Sequence, residues 1–228
     1  MKFYEPENFS YIHFQISHED CWTNNAKKYK IEISTLYTKS DPYHDNIYGI
    51  VELKARHRAS LKDFIKDIRR SESIHSIDSV SIVDIKANLF KMEINERFLN
   101  MVSGILYNFP IIFRSDLVAN GIENETIIVG ERYVSDIEKE LNKLGDLKLF
   151  RVIRVDIGDL LNSTITLTSQ ERFAISKALE GGYYDIPKKL HLGDLSEKTG
   201  LSKATLEEYI RKAEMKIMRK MKLWLLQS

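Results

Sequence analysis

Leu195–Glu214 reads LSEKTGLSKATLEEYIRKAE, and the four residues Thr199-Gly200-Leu201-Ser202 divide it into two short helical patterns. Gly200 has no Cβ and takes a left-handed turn at little cost, as a sharp reversal between helices requires. Ser202 follows as a good N-cap for the next helix. Asp194 stands in the first turn of the preceding helix, about Leu192–Thr199, where a carboxylate meets the positive end of the helix dipole. Beyond the turn, Leu206, Ile210, Ala213, Ile217, Met221 and Trp224 recur at spacings of 4, 3, 4, 4 and 3 and predict one buried seam. Lys203, Ala204, Glu207, Glu208, Arg211 and Lys212 fall on the opposite face.

Two short helices crossing at a tight turn form a helix-turn-helix, whose second helix can lie in a DNA major groove. In that arrangement Ser202, Thr205, Arg211 and Lys212 hold phosphates, and side chains near the helix start reach base edges. Many helical hairpins share this periodicity and bind no DNA, so the pattern alone leaves both readings open.

Upstream, Thr168 and Glu171 have the spacing of a capping box, which starts a helix with Phe173, Ala174, Ala178 and Leu179 on its expected buried side. Gly181-Gly182 ends it. Tyr183-Tyr184-Asp185-Ile186-Pro187 cannot continue a helix, because Pro187 has no N–H; the two rings are expected to fill the gap beside the next helices.

These residues go beyond a generic pattern. Leu167–Met218, with its LTSQE, GYYDIP and LSEKTGLSKATLEEYIRKAE elements, resembles the archaeal bacterio-opsin activator-type (Bat-like) helix-turn-helix family. The GYYDIP element, Gly182–Pro187, is the most specific of the three. The arrangement is also similar to sigma factor region 4 and LuxR-type modules. The resemblance implies a DNA-binding transcription regulator, with Lys203, Ala204, Glu207 and Glu208 facing bases and Ser202, Thr205 and Arg211 facing the DNA backbone. It also implies an N-terminal regulatory or sensory domain. Three residues depart from the family pattern: His191 at a usual Ser or Thr cap, Ser196 at a small Ala, and Thr199 at a usual Leu.

The segment from about Tyr11 to Asp156 reads as mixed α/β. Strand patterns fall at 11–16, 29–36, 47–53, 80–85, 89–94, 110–113, 126–129 and 148–155, and amphipathic helices at 60–70, 96–106 and 134–144. Strand–helix–strand order recurs over 47–85, 89–113 and 125–157, a weak internal repeat of the kind that builds ferredoxin-like βαβ sheets. The pattern breaks at Gly158–Ile165, a candidate linker. The expected fold class is α+β. An N-terminal ferredoxin-like βαβ-repeat regulatory domain occupies 1–160, and an all-α helix-turn-helix domain with a long C-terminal helix occupies 165–228.

The 228 residues are 43% hydrophobic and 29% charged, with no apolar run long enough for a membrane span. The opening MKFYEPENFSYIHF lacks an apolar core and a cleavage site, so no signal peptide is expected. A single cysteine, Cys21, fits a reducing cytoplasm. Net charge is +1, but Lys188–Lys222 holds 10 basic against 5 acidic residues, a basic module on a slightly acidic body. An ordinary solvated surface would give the same fluctuation.

Ser17–Trp22 (SHEDCW) gathers His18, Glu19, Asp20 and Cys21, residue types that ligate zinc. No second Cys or paired His follows at ligand spacing, and His13 and His44 are distant, so a structural turn with a buried cysteine is the expectation and no metal or cofactor is predicted. His57 reads as a surface residue, and Gly121 and Gly130 as no part of a phosphate loop. Catalytic motifs are lacking, and the chain is not expected to be an enzyme. The apolar tail, Met215, Met218, Met221, Leu223, Trp224, Leu225 and Leu226, predicts a homodimer through the C-terminal helix, or packing within one chain. A small-molecule effector on the N-terminal domain is expected by fold analogy. The rival reading is a ligand-binding or adaptor protein whose helix-turn-helix contacts the transcription machinery, favoured by Glu207 and Glu208 on the presumed reading face.

Overall fold

The computed structural model describes residues 8–155 and 167–225, with side chains described as far as Arg219 and at Met221. The linker expected at Gly158–Ile165, and the tail side chains Leu223, Trp224, Leu225 and Leu226, lie outside the described residues. The chain divides into two compact units, Met1–Ile157 and Gly158–Ser228. Among the described residues no helix is long and apolar enough to cross a membrane.

The first unit runs β1 (Phe9–Ser17), α1 (Asn25–Tyr29), β2 (Ile31–Asp41), β3 (Asn46–Ala55), α2 (Arg58–Ile68), β4 (Ile74–Asp84), β5 (Leu89–Arg97), α3 (Val102–Tyr107), β6 (Phe113–Ala119), β7 (Ile122–Gly130), α4 (Val134–Leu144) and β8 (Asp146–Val155). The strands form one sheet in the order β4-β5-β3-β2-β6-β7-β1-β8. Every neighbouring pair is antiparallel.

This single eight-stranded sheet does not confirm the expected ferredoxin-like βαβ repeat. The strand–helix–strand units β3-α2-β4 and β7-α4-β8 exist, each with one strand between its parallel pair as in a split βαβ unit, but that strand comes from the other half of the chain: β5 between β3 and β4, and β1 between β7 and β8. A helical crossover leaves room for one strand between the two it joins. Local pattern records the crossover but not which strand fills the space. When each strand is exchanged with the strand four places along the chain, the order reads the same from the opposite edge of the sheet, so the repeating unit is four strands and two helices.

Alternation decides which face is buried. Ile47, Val51 and Leu53 of β3 and Phe90, Met92 and Ile94 of β5 point to one face, where Leu61, Phe64 and Ile68 of α2 cover them. Ile12, Phe14 and Ile16 of β1 and Ile127 and Val129 of β7 form a second core with Val102, Leu106, Ile137 and Leu141 of α3 and α4.

Two expected elements move. The helix predicted over 96–106 starts only at Val102, because β5 continues to Arg97 and Asp45 Oδ1 accepts the N–H groups of Phe98 (3.0 Å) and Leu99 (2.7 Å), turning the chain there. The strand predicted at 110–113 is instead Phe113–Ala119, closed onto β7 by the two-residue turn Asn120-Gly121. Both turn residues have positive φ, 55° and 74°, the conformation for which Asn-Gly hairpins are selected.

Between the two apolar cores the covered face is polar. β2 and β6 meet in register only at Ile33 and Val118. Next to that contact, Thr35 donates its N–H and hydroxyl to Asp116 (3.1 and 2.8 Å). Arg114 grips Glu125 through Nε (3.0 Å) and Nη2 (2.6 Å). Burial works against the Arg114 charge, but Glu125 outweighs it and the guanidinium stays protonated. Glu96 is 8% exposed and accepts from Trp22 Nε1 at 2.5 Å. Burial raises its carboxyl to about 7, against the opposing pull of the Trp22 hydrogen bond.

Glu96 therefore binds its proton more tightly folded, near 7, than unfolded, near 4.5, and its contribution to stability is lost as pH rises through 7. Glu96→Gln keeps the acceptor for Trp22 and removes the titration. Urea unfolding from about pH 5 to about pH 8 is expected to show a falling wild-type midpoint and a flatter profile for the variant. Parallel profiles would show that Glu96 does not titrate in this range.

Candidate nucleic-acid interface

The second unit is helical: α5 (Ser169–Glu180), α6 (Leu192–Thr199) and α7 (Lys203–Leu225). Thr168 Oγ1 accepts the Glu171 N–H (3.2 Å) while Glu171 Oε2 accepts the Thr168 N–H (2.8 Å), closing the capping box read from the sequence. Lys216 of α7 donates to the same Glu171 carboxylate (2.6 Å), so one buried acid caps α5 and ties it to α7. Hydrogen bonding from Lys216 and from the Thr168 N–H holds the Glu171 carboxyl below its usual range.

The core consists of Ala174, Ile175, Ala178, Leu190, Leu195, Leu206, Ile210 and Ala213. Phe173 and Leu179, expected inside, are 43% and 61% exposed; Ile175 takes their place. Gly182, with φ of 74°, supplies the left-handed residue after α5. An added Cβ there would meet Asp185 Oδ2 and Lys189 Cβ at 3.0 Å. Tyr183 packs on the core with Lys188 Nζ 4.3 Å above its ring. Tyr184 lies at the surface and donates to Glu214 Oε1 of α7 (2.5 Å). The GYYDIP element thus fills the gap with one ring and clamps α7 with the other.

The turn is held by side chains that depart from the family pattern. Ser196 Oγ donates to the Leu201 carbonyl (2.6 Å) and Thr199 Oγ1 to the Leu195 carbonyl (2.8 Å). In place of a hydroxyl cap at His191, the His191 N–H donates to Asp194 Oδ2 (2.9 Å). Gly200 has φ of 71°, with open space where a Cβ would stand. Ser202 Oγ then accepts the Thr205 N–H (3.2 Å) and starts α7.

Ser202, Lys203, Ala204, Glu207, Glu208, Arg211 and Lys212 are all exposed, and Thr205 is half-buried. Ala204, Glu207, Glu208, Arg211, Lys212 and Met215 border one open depression along α7. Two charges are engaged locally. Lys212 donates to Glu208 Oε1 (2.6 Å), and Lys203 Nζ folds back beside Gly193 of α6. Arg211 has no ion-pair partner among the described residues. The buried seam holds Leu206, Ile210 and Ala213, with Ile217 partly covered, but Met221, expected on it, is 42% exposed. Met215 and Met218 are 45% and 57% exposed. Tyr184, expected to fill the gap together with Tyr183, instead reaches Glu214, a contact that spans 30 residues and leaves no periodic signal.

A short helix, a glycine turn and a capped second helix with a polar outer face define the helix-turn-helix class. Residues 167–219 match the family described as "HTH DNA binding domain". A curated relative, the dimethyl sulfoxide reductase transcriptional activator of Haloferax volcanii, is 29% identical over 115 residues, which cover 47% of this chain and 53% of that protein. The chain thus spans about half the length of the relative it matches. No solved structure matches. The helical unit is a helix-turn-helix domain of the bacterio-opsin activator-type (Bat-like) family.

Ser202→Ala removes the acceptor that starts α7 and is expected to cost the helical unit about 1 kcal/mol in thermal or urea unfolding. Ser202→Asp, which keeps an N-cap acceptor, is expected to restore it. An unchanged midpoint in the alanine variant would mean that α7 is fixed by its packing alone.

Proposed function

We propose that the protein is a sequence-specific DNA-binding transcription regulator. The supporting observation is that seven of the eight candidate contact residues lie exposed on one side of a capped second helix whose other side is core. In this reading residues about 202–218 enter the major groove. Lys203, Ala204, Glu207 and Glu208 face bases, and Ser202, Thr205, Arg211 and Lys212 face phosphates. The printed role of the Haloferax volcanii relative, a transcriptional activator, agrees with it. An archaeal, cytoplasmic setting belongs to the same reading. Exposed Met215, Met218 and Met221 on the far turns of α7 support a homodimer through that helix, reading two half-sites.

The first unit is the regulatory half of this reading, with a small-molecule effector acting on it. Its two sheet halves run β4-β5-β3-β2 and β8-β1-β7-β6, and each half is a ferredoxin-like unit whose first strand has been exchanged with the other's. A species bound at the seam would bear on both halves at once. The adaptor reading rests on the Glu208–Lys212 pair, which cancels one cation on the presumed reading face.

Titration of the full chain against genomic fragments, including its own promoter, at two salt concentrations tests the reading. Tight binding to a subset is expected, weakening steeply with salt. Arg211→Ala is expected to weaken binding on all sequences and lower the salt slope by about one, whereas Lys203→Ala changes sequence preference. Glu208→Gln frees Lys212 and removes a carboxylate from the phosphates, so affinity is expected to rise. Equally weak binding on every fragment, unaffected by Glu208→Gln, would favour the adaptor.

A further inference from the structure

The fold brings three ligand-type side chains from two distant segments to one buried point. His18 follows β1, Cys21 precedes α1, and Glu123 lies on β7, more than 100 residues away. Glu123 Oε1 is 3.2 Å from His18 Nε2 and 3.1 Å from Cys21 Sγ, and the three donor atoms all lie within 4.8 Å of one another. Thr23 Oγ1 completes the group, 3.2 Å from the same Glu123 oxygen and 2.9 Å from Cys21 Sγ. Three donors thus converge on one carboxylate oxygen, which has two lone pairs to offer them. His18, Cys21 and Glu123 are 5%, 4% and 9% exposed, respectively. Among the described residues His18 Nδ1 is buried without a partner, so the ring's polar engagement is at the nitrogen that faces the cluster.

The geometry points to a binding site for one divalent transition-metal ion of zinc type, ligated by His18 Nε2, Cys21 Sγ and Glu123 Oε1. Zinc bonds to nitrogen, sulfur and oxygen donors in tetrahedral array place those donors about 3.3–3.6 Å apart, so the two contacts to Glu123, at 3.2 and 3.1 Å, lie within about half an ångström of coordination spacing, and drawing His18 and Cys21 together from within 4.8 Å completes the sphere. A nitrogen, sulfur and oxygen set selects zinc or a neighbouring first-row ion over magnesium or calcium, which take oxygen ligands alone. Beside Cys21 and Glu123 lie Thr23 Oγ1 and a cavity of about 40 Å³ that these three residues help to line, room enough for a water as fourth ligand.

Charge favours the same occupant. Glu96, Asp116, Glu123 and Glu125 border that cavity, and Arg114 is its one full-time cation. Arg114 already engages Glu125, and burial favours the protonated form of Glu96; a divalent cation at the cluster would favour the ionised form of the carboxyls around it. Binding exchanges protons without redox change. The Cys21 thiol releases its proton to solvent as the sulfur–metal bond forms, His18 frees Nε2 by carrying its ring proton on Nδ1 instead, and the Glu123 oxygen exchanges the hydrogens it accepts for the metal. The metal-free thiol is held protonated by burial and by Glu123, a balance that a bound cation reverses. The site lies wholly in the first unit and stands whether or not the helical unit binds DNA. It also reverses the expectation of a mere structural turn, because the third ligand stands far from SHEDCW in the chain.

The test uses the full chain, stripped by dialysis against chelator and titrated with Co²⁺ and then Zn²⁺. One Co²⁺ per chain is expected, with tetrahedral ligand-field absorption and a thiolate-to-cobalt charge-transfer band, both abolished by Zn²⁺. Cys21→Ser, nearly isosteric, is expected to remove the charge-transfer band and weaken Co²⁺ binding at least tenfold with an unchanged circular dichroism spectrum. Glu123→Gln is expected to weaken it similarly, and the exposed neighbour variant Glu19→Gln not at all. Substoichiometric Co²⁺ binding by the wild-type chain, or a wild-type spectrum without the charge-transfer band, overturns the site. So does Co²⁺ affinity undiminished in Cys21→Ser.

Discussion

Each half of the eight-stranded sheet is completed by a strand from the other half, and the first unit depends on that exchange. β5 lies between β3 and β4, and β1 lies between β7 and β8. The direct junction of the halves is thin, a single registered pair between β2 and β6 reinforced by Thr35 and Asp116. The nine-residue pairings of β3 with β5 and of β1 with β8 carry the connection instead. Neither half can bury its apolar face without a strand from the other, so the two cores form together. Such non-local pairing raises the loop-closure entropy that folding must overcome before the contacts form.

The exchange also explains why the middle of the covered face is polar. The helices cover the apolar cores on either side, and the residues between them come from strands of both halves. There the sheet holds a guanidinium and four carboxyl groups, and the Cys21 thiol reaches them from the connection after β1, mostly in mutual hydrogen bonds. Such a network loses more from a missing partner than an apolar core loses from a missing methyl group. It is the least interchangeable part of the unit and the part with the most chemistry.

The helical unit is built on a different principle. Its apolar core is small, so the ends of its helices fix the geometry. The Thr168–Glu171 box, Gly182, the Ser196 and Thr199 bonds across the turn, Gly200 and Ser202 each satisfy backbone groups that a helix end leaves open. Ser196 and Thr199 depart from the family pattern, yet their hydroxyls close on carbonyls of the same turn. The polar face of α7 is then available because Glu171, Tyr184 and the core hold its other side.

Local constraints were legible in the amino-acid sequence. The capping box, the glycine turn, the seam of Leu206, Ile210 and Ala213, and the helix at 134–144 follow from periodicity and cap chemistry, which act over a few residues. The Asn120-Gly121 hairpin is equally local, an Asn-Gly pair between two strands, and it sets β6 at Phe113–Ala119 in place of the strand expected at 110–113. Contacts between distant segments were not legible: the strand that enters each crossover, the burial of Ile175 in place of Phe173, the Tyr184–Glu214 clamp, and the meeting of His18 and Cys21 with Glu123. Sequence spacing encodes which face a residue takes along its own helix or strand. Which distant strand arrives beside it depends on how the whole sheet closes, and only the tertiary structure decided that.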